Sequence, residues 1–85
     1  MIISAAVRAQ VNGAINVFPC HRHGDFFKWM KILQCKYDRN TIEHGFIDWD
    51  GKTERFVSRE KAAEIAFAAR QIPTQMETLY SESLW

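Results

Sequence analysis

The sequence predicts an α+β fold in which two antiparallel β-hairpins form a small sheet and two helices cover one face of it. Three observations support this prediction: two glycine-containing turns between short apolar runs, two segments with apolar residues at helical spacing, and the order strand-strand-helix-strand-strand-helix. Residues 1–85 fit a single domain, with residues 75–85 as a docking C-terminal tail. The order of the strands in the sheet is left open.

The first hairpin is predicted from Asn12 and Gly13, which tolerate the positive φ angles of a type I′ turn. Its strands are expected at residues 3–7 and 14–18. Pro19 has no backbone N–H, so strand pairing should stop there and residues 20–24 should form a loop.

Asp25 is expected to cap the first helix by accepting hydrogen bonds from unpaired backbone N–H groups. The apolar side chains that follow at helical spacing are Phe26, Trp29, Met30 and Leu33. Residues 36–43 show no apolar period, which indicates a connecting loop.

The second hairpin is predicted at residues 45–49 and 54–57, on either side of a turn at residues 50–52. Ser58 is the expected N-cap of the second helix, which covers residues 59–71 with an alanine-rich apolar stripe and is stopped by Pro73. Residues 76–85 are too short and irregular for an element of their own, so this tail must dock on the core or on a neighbouring subunit.

Composition excludes several classes of protein. The formal net charge of +1 gives no general attraction to phosphates, so no DNA or RNA polymer is expected as a partner. No apolar run approaches the roughly 20 residues of a membrane span, so no membrane partner is expected either. Cys20 and Cys35, without a secretory signal before them, favour reduced thiols and a cytoplasmic location.

A cluster of His21, Arg22 and His23 lies directly before the first helix, where unpaired N–H groups favour anions. This pattern predicts a phosphate or carboxylate site, with Arg22 as a bidentate donor. The alternative has equal weight: Asp25 is only a cap, and these side chains bond solvent or nearby carboxylates.

Two further arginines, Arg55 and Arg59, are candidates to join Arg22 around a polyanion, with Phe46 as a surface on which a base stacks. The competing interpretation places Phe46 in the core and the arginines on a solvated face.

The sequence gives little indication of catalysis or of metal binding. The side chains that can bind zinc lack the paired spacing of zinc sites, so neither a metal nor a cofactor is expected; they are Cys20, His21, His23, Cys35 and His44. No activating base or oxyanion hole accompanies the cysteines, so the protein is not expected to be an enzyme. The least favoured alternative is a small phosphodiester hydrolase that uses His21, His23 and Asp25.

Three sequence blocks carry a family resemblance: Arg22-His23-Gly24-Asp25, a block that runs from Gly45 to Ala63, and the ending Leu79-Tyr80-Ser81-Glu82-Ser83-Leu84-Trp85. Together they resemble short bacteriophage proteins with RHHD, GRFVDREEAA and LYSEDLW blocks, and through these the phage anti-Thoeris sponge proteins. Gly24, Ser58 and Ser83 depart from those patterns, as does the longer turn at residues 52–54.

The resemblance implies a phage-encoded anti-defence protein in the cytoplasm of the infected bacterium. Such a homo-oligomer binds and sequesters a nucleotide immune second messenger, a cyclic ADP-ribose isomer or a cyclic oligonucleotide, without catalysis. Arg22 with Arg55 or Arg59 would clamp phosphates, and Phe46 would stack on adenine. The alternative is a protein-interaction module that inhibits a host enzyme through Trp29, Trp49 and residues 80–85.

Overall fold

The computed structural model describes residues 1–84 and shows a four-stranded antiparallel sheet with two helices. The strands lie in the order β2-β1-β3-β4, and the predicted fold class is confirmed. Their bounds are β1 (Ile2–Val11), β2 (Ala14–Cys20), β3 (Glu43–Trp49) and β4 (Glu54–Ser58); the helices are α1 (Gly24–Leu33) and α2 (Arg59–Ala68). Two short 3₁₀ helices, Arg39–Thr41 and Ser81–Ser83, complete the elements.

Both helices pack on the same face of the sheet. Alternate residues of β1, from Ala5 to Val11, are buried there together with Phe26 and Met30 of α1 and three alanines of α2. Helix α1 contacts β2, whereas α2 contacts mainly β3 and β4. The small alanine side chains allow α2 to approach the sheet closely. Each helix therefore covers one half of the sheet.

The first hairpin is longer than predicted, because the backbone nitrogen of Pro19 does not face the neighbouring strand. Asn12 and Gly13 have φ angles of 51° and 85°, as a two-residue type I′ turn requires. In such a hairpin every second residue of β2, counted from Ala14, directs its backbone groups toward β1. Pro19 falls in the other set, so its missing N–H faces the free edge and pairing continues to Cys20. The prediction that Pro19 ends the pairing is wrong for this reason.

Helix α1 begins differently from the prediction. It starts at Gly24, and its N-cap residue, His23, makes no side-chain capping hydrogen bond. Asp25 lies inside the first turn, where its carboxylate accepts the backbone N–H of Arg22 at 3.1 Å. Asp25 is therefore not the cap, and its carboxylate already provides negative charge at this helix start.

Helix α2 begins as predicted and ends earlier. The Ser58 hydroxyl accepts the Lys61 N–H at 3.2 Å, which confirms its role as N-cap. At the other end Arg70 has a φ angle of 59°, and the N–H groups of Arg70 and Gln71 bond the carbonyls of Phe67 and Ala66. This Schellman motif, rather than Pro73, stops the helix. No helix in residues 1–84 has the length and apolar character to cross a membrane.

Candidate functional site

Two histidines stack between α1 and the sheet. The imidazoles of His23, from the loop before α1, and His44, on β3, are nearly parallel at 7°, with ring centroids 5.0 Å apart. Nε2 of His23 donates to the carbonyl of Gly45 at 2.8 Å, and the edge of its ring meets Phe46. The strand and the loop thus fix the orientation of both rings.

Arg59, the first residue of α2, closes this arrangement. Its Nη2 donates to Nδ1 of His44 at 2.8 Å, and its guanidinium carbon lies 5.5 Å from the centre of the Tyr80 ring. Its Nε atom is buried and has no hydrogen-bond partner within residues 1–84. A buried donor of this kind costs free energy unless a partner satisfies it. One donor of the guanidinium is therefore left unsatisfied in the described residues.

Arg22 lies at the border of the same region through the C-terminal segment. Its Nη1 is 3.7 Å from Oε1 of Glu82, and both side chains are substantially exposed. The segment is anchored to α2, because the N–H of Leu79 bonds the carbonyl of Arg59 at 3.1 Å. Exposed ion pairs of this kind contribute only about 0–1 kcal/mol, so a polyanion can compete with Glu82. We refer to Arg22, His23, His44, Arg59 and Tyr80 as the arginine–histidine cluster.

The two histidines of the cluster are neutral near pH 7. Burial lowers the pKa of His44 from its ordinary value, and the nearby charge of Arg59 lowers it further. Burial also lowers the pKa of His23. Because Nδ1 of His44 accepts a hydrogen bond from Arg59, the neutral imidazole of His44 carries its proton on Nε2, which can act as a donor. The positive charge of the cluster therefore comes from Arg22 and Arg59 and not from the imidazoles.

Two of the predicted site residues, Phe46 and Arg55, are not part of this cluster. The Phe46 side chain is fully buried in the core, so its ring presents no free face to a base, whereas Tyr80 is 49% exposed. Arg55 bonds Asp48 at 3.0 Å near the opposite end of β4 from Arg59. There the N-terminal ammonium, followed by Arg55, lowers the pKa of the Asp48 carboxyl. The structure brings together Arg22, His23 and Arg59, but not Arg55.

His21 is exposed in the loop before His23. Cys20 is buried, and burial raises the pKa of its thiol to about 11, so it is protonated near neutral pH. Residues 1–84 contain no group of three or more side chains placed to hold a metal ion.

Sequence reasoning did not assign His44 or Tyr80 to this site. Both are far in sequence from Arg22, and neither lies in a recognisable motif. The pairing of β3 with β1 brings His44 opposite Val7 on the helix-covered face, and the course of residues 78–84 brings Tyr80. In the sequence, only the residue types, a histidine and a tyrosine, indicated that His44 and Tyr80 could belong to a binding site.

The fold is that of a small α+β protein, in which Arg59 lies beside His44 and against the half-exposed ring of Tyr80. The chain belongs to the phage T4 y16D protein family, whose model matches residues 1–85. The expectation of a bacteriophage protein is thereby confirmed. Comparison with curated proteins and with solved structures found no match.

Proposed function

We propose that this phage protein binds and sequesters a small phosphorylated nucleotide, of the cyclic ADP-ribose or cyclic oligonucleotide class used as bacterial immune messengers, without catalysis. The buried and unpaired Nε of Arg59 is the observation that carries the proposal. It lies beside a neutral imidazole and below a tyrosine ring. A ligand with both a phosphate and a base matches these neighbours.

The phosphate half of the ligand would be held by the two arginines. A guanidinium presents its N–H donors in a planar fork that suits phosphate oxygens, and hydrogen bonds to charged groups are the stronger ones. Arg59 is held in place by His44, so little side-chain entropy would be lost when it binds. Arg22 would exchange the exposed carboxylate of Glu82 for the phosphate.

The base half would stack on Tyr80. This ring already lies over the Arg59 guanidinium and is about half exposed, so one side remains accessible. Aromatic stacking under a nucleobase contributes roughly 1–3 kcal/mol and tolerates different bases. Tyr80 therefore takes the role that the sequence suggested for Phe46.

The proposal is tested by mixing purified protein with cyclic ADP-ribose isomers and with cyclic di- and trinucleotides, removing free ligand, heating, and analysing the released material by chromatography. We expect one class to be retained and returned chemically intact. Failure to retain any of them would overturn the proposal, and the return of a cleaved product would overturn its non-catalytic part.

Arg22→Ala is expected to weaken binding of the retained ligand by about 10- to 150-fold, since a charge-assisted hydrogen bond contributes roughly 1.5–3 kcal/mol. Isothermal titration calorimetry measures this change. Arg39→Ala is the matched control, because Arg39 is an exposed arginine in a different turn. An unchanged dissociation constant for Arg22→Ala would remove Arg22 from the site.

A further inference from the structure

The outer edge of strand β2 lacks the charged side chains that usually protect an exposed strand. Its seven residues, Ala14–Cys20, include no charged side chain, and Pro19 is the one residue that blocks pairing. The other edge strand, β4, has only five residues, carries Glu54 and Arg55, and continues directly into α2. The β4 edge of the sheet is therefore protected, whereas the β2 edge is unprotected before Pro19.

The backbone groups on this edge can be assigned from the hairpin geometry. Because the type I′ turn makes Val11 and Ala14 the closing hydrogen-bonded pair, the N–H and C=O groups of Ile15 and Val17 point away from β1. No strand in residues 1–84 pairs with them, since β2 is the terminal strand of the sheet. Two donors and, with the Pro19 carbonyl, three acceptors are thus directed away from β1.

Exposed apolar side chains are concentrated on the two elements at this end of the sheet. Of the eleven exposed large hydrophobic residues in the described chain, six belong to β2 and to α1, the helix that contacts β2. They are Ile15, Val17, Phe27, Trp29, Ile32 and Leu33. Ile15 and Ile32 are the most exposed, at 69% and 75%. Such a concentration of apolar surface marks an interaction site.

We infer that a second copy of this chain pairs antiparallel along β2, around a two-fold axis at Asn16, so that Ile15 of each copy lies opposite Val17 of the other. This register satisfies the outward donors and acceptors of Ile15 and Val17 in each copy, and it joins the two sheets into one. A two-fold axis through a strand edge gives antiparallel pairing, which is the arrangement that one identical edge can form with itself.

A second copy fits this edge better than a charged partner does. The edge carries no charge to select an oppositely charged surface, and a net charge of +1 gives little repulsion between copies. In the proposed register, Ile15 and Val17 of the two copies meet on the face without helices. Helix α1 of each copy flanks the junction on the other face, where it can bury part of its apolar surface.

The size of this interface predicts its strength. Seven residues of strand extend about 23 Å, and the sheet with one layer of helices is roughly 20 Å deep, so each copy contributes on the order of 450 Å². This lies below the roughly 800 Å² per partner of a standard interface. We therefore expect a dimer that dissociates in the micromolar range.

Analytical ultracentrifugation of the purified full chain, from about 1 μM to about 1 mM, tests the proposal. The wild-type protein should convert from monomer to dimer over this range, with no ligand present. Ile15→Lys combined with Val17→Lys should raise the dissociation constant about 100-fold or more, because like charges would meet across the junction. A monomer at every concentration, including one that binds a host protein at this edge instead, would overturn the inference.

Phe67→Lys is the matched control, since Phe67 is an exposed apolar residue on α2 and should leave the dimer unchanged. Dimerisation that survives the lysines on β2 would also overturn the inference. Amide hydrogen exchange of the wild-type chain gives a readout that needs no variant. The amides of Ile15 and Val17 should be protected at high concentration and exchange rapidly at low concentration, whereas uniform rapid exchange would contradict the pairing.

Discussion

Gly45 is the residue at which the sheet and the arginine–histidine cluster meet. Its carbonyl accepts the hydrogen bond from His23, while on the opposite face the ring of Phe56 lies directly over it. A Cβ atom at this position would lie 2.3 Å from the carbonyl oxygen of Val57 and 2.5 Å from Cζ of Phe56. The backbone contact cannot be relieved by a side-chain rotation alone. Glycine is therefore required here by space, not by its φ angle.

Gly45→Ala should lower the free energy of unfolding by about 1–3 kcal/mol, the usual cost of overpacking in a buried position. Urea denaturation followed by circular dichroism measures the change. Gly24→Ala is the matched control, because a Cβ atom there has no heavy atom within 4 Å and alanine favours the helix. Equal stability of the two variants would contradict the close contact at Gly45.

The neutral histidines of the cluster make stability depend on pH. Folding lowers the pKa of both His23 and His44 below the ordinary 6.5, chiefly through burial, so the unfolded chain binds protons more readily than the folded chain. Their contribution to stability is thus complete above about pH 6.5 and is lost as the pH falls below that value. The slope is at most about 1.4 kcal/mol per pH unit for each histidine.

Urea denaturation at a series of pH values between about 7.5 and 5 measures this slope. His44→Asn keeps an acceptor oxygen for Arg59 but does not titrate, so it should reduce the slope by about half. An identical slope in the wild-type protein and in the variant would show that His44 does not titrate with a lowered pKa.

At the scale of elements, the sequence predicted what depends on neighbouring residues. Asn12 and Gly13 defined the first turn through their own φ preferences, and Ser58 defined the start of α2 through one local hydrogen bond. The predicted ends of β2 and α2 were wrong, because these ends depend on the position of the element in the fold. Strand pairing continues past Pro19 because β2 is an edge strand. Helix α2 ends because Arg70 adopts a left-handed conformation, a position where glycine is the usual residue and arginine is not expected from sequence.

The site was predictable only in its local part for the same physical reason. Arg22 and His23 stand together in the sequence, and Arg59 begins a helix that the cap predicts. The neighbours His44 and Tyr80 arrive through strand pairing and through the path of the C-terminal segment, which are long-range features. Phe46 lies two residues after His44 on β3 and therefore shares its face of the sheet. Only the structure shows that the Phe46 ring is completely buried.

At the scale of the whole molecule, a chain of this length buries a limited core and depends on each part of it. The expected free energy of unfolding for 85 residues is about 4–13 kcal/mol. Two helices cover one face of the sheet, and residues after α2 supply further buried side chains, among them Ile72 and Leu79. The C-terminal segment thus contributes both to the core and, through Tyr80, to the site.

Leu79→Ala should lower the free energy of unfolding by about 2–5 kcal/mol, because it leaves a cavity at a fully buried position of a small core. Urea denaturation measures the loss, and Phe67→Ala, at an exposed position on α2, serves as control with an expected change below about 1 kcal/mol. Since the buried Leu79 side chain anchors the segment that carries Tyr80, the variant should loosen Tyr80 and weaken ligand binding as well. A variant as stable as the control would mean that the C-terminal segment is not packed on the core in solution.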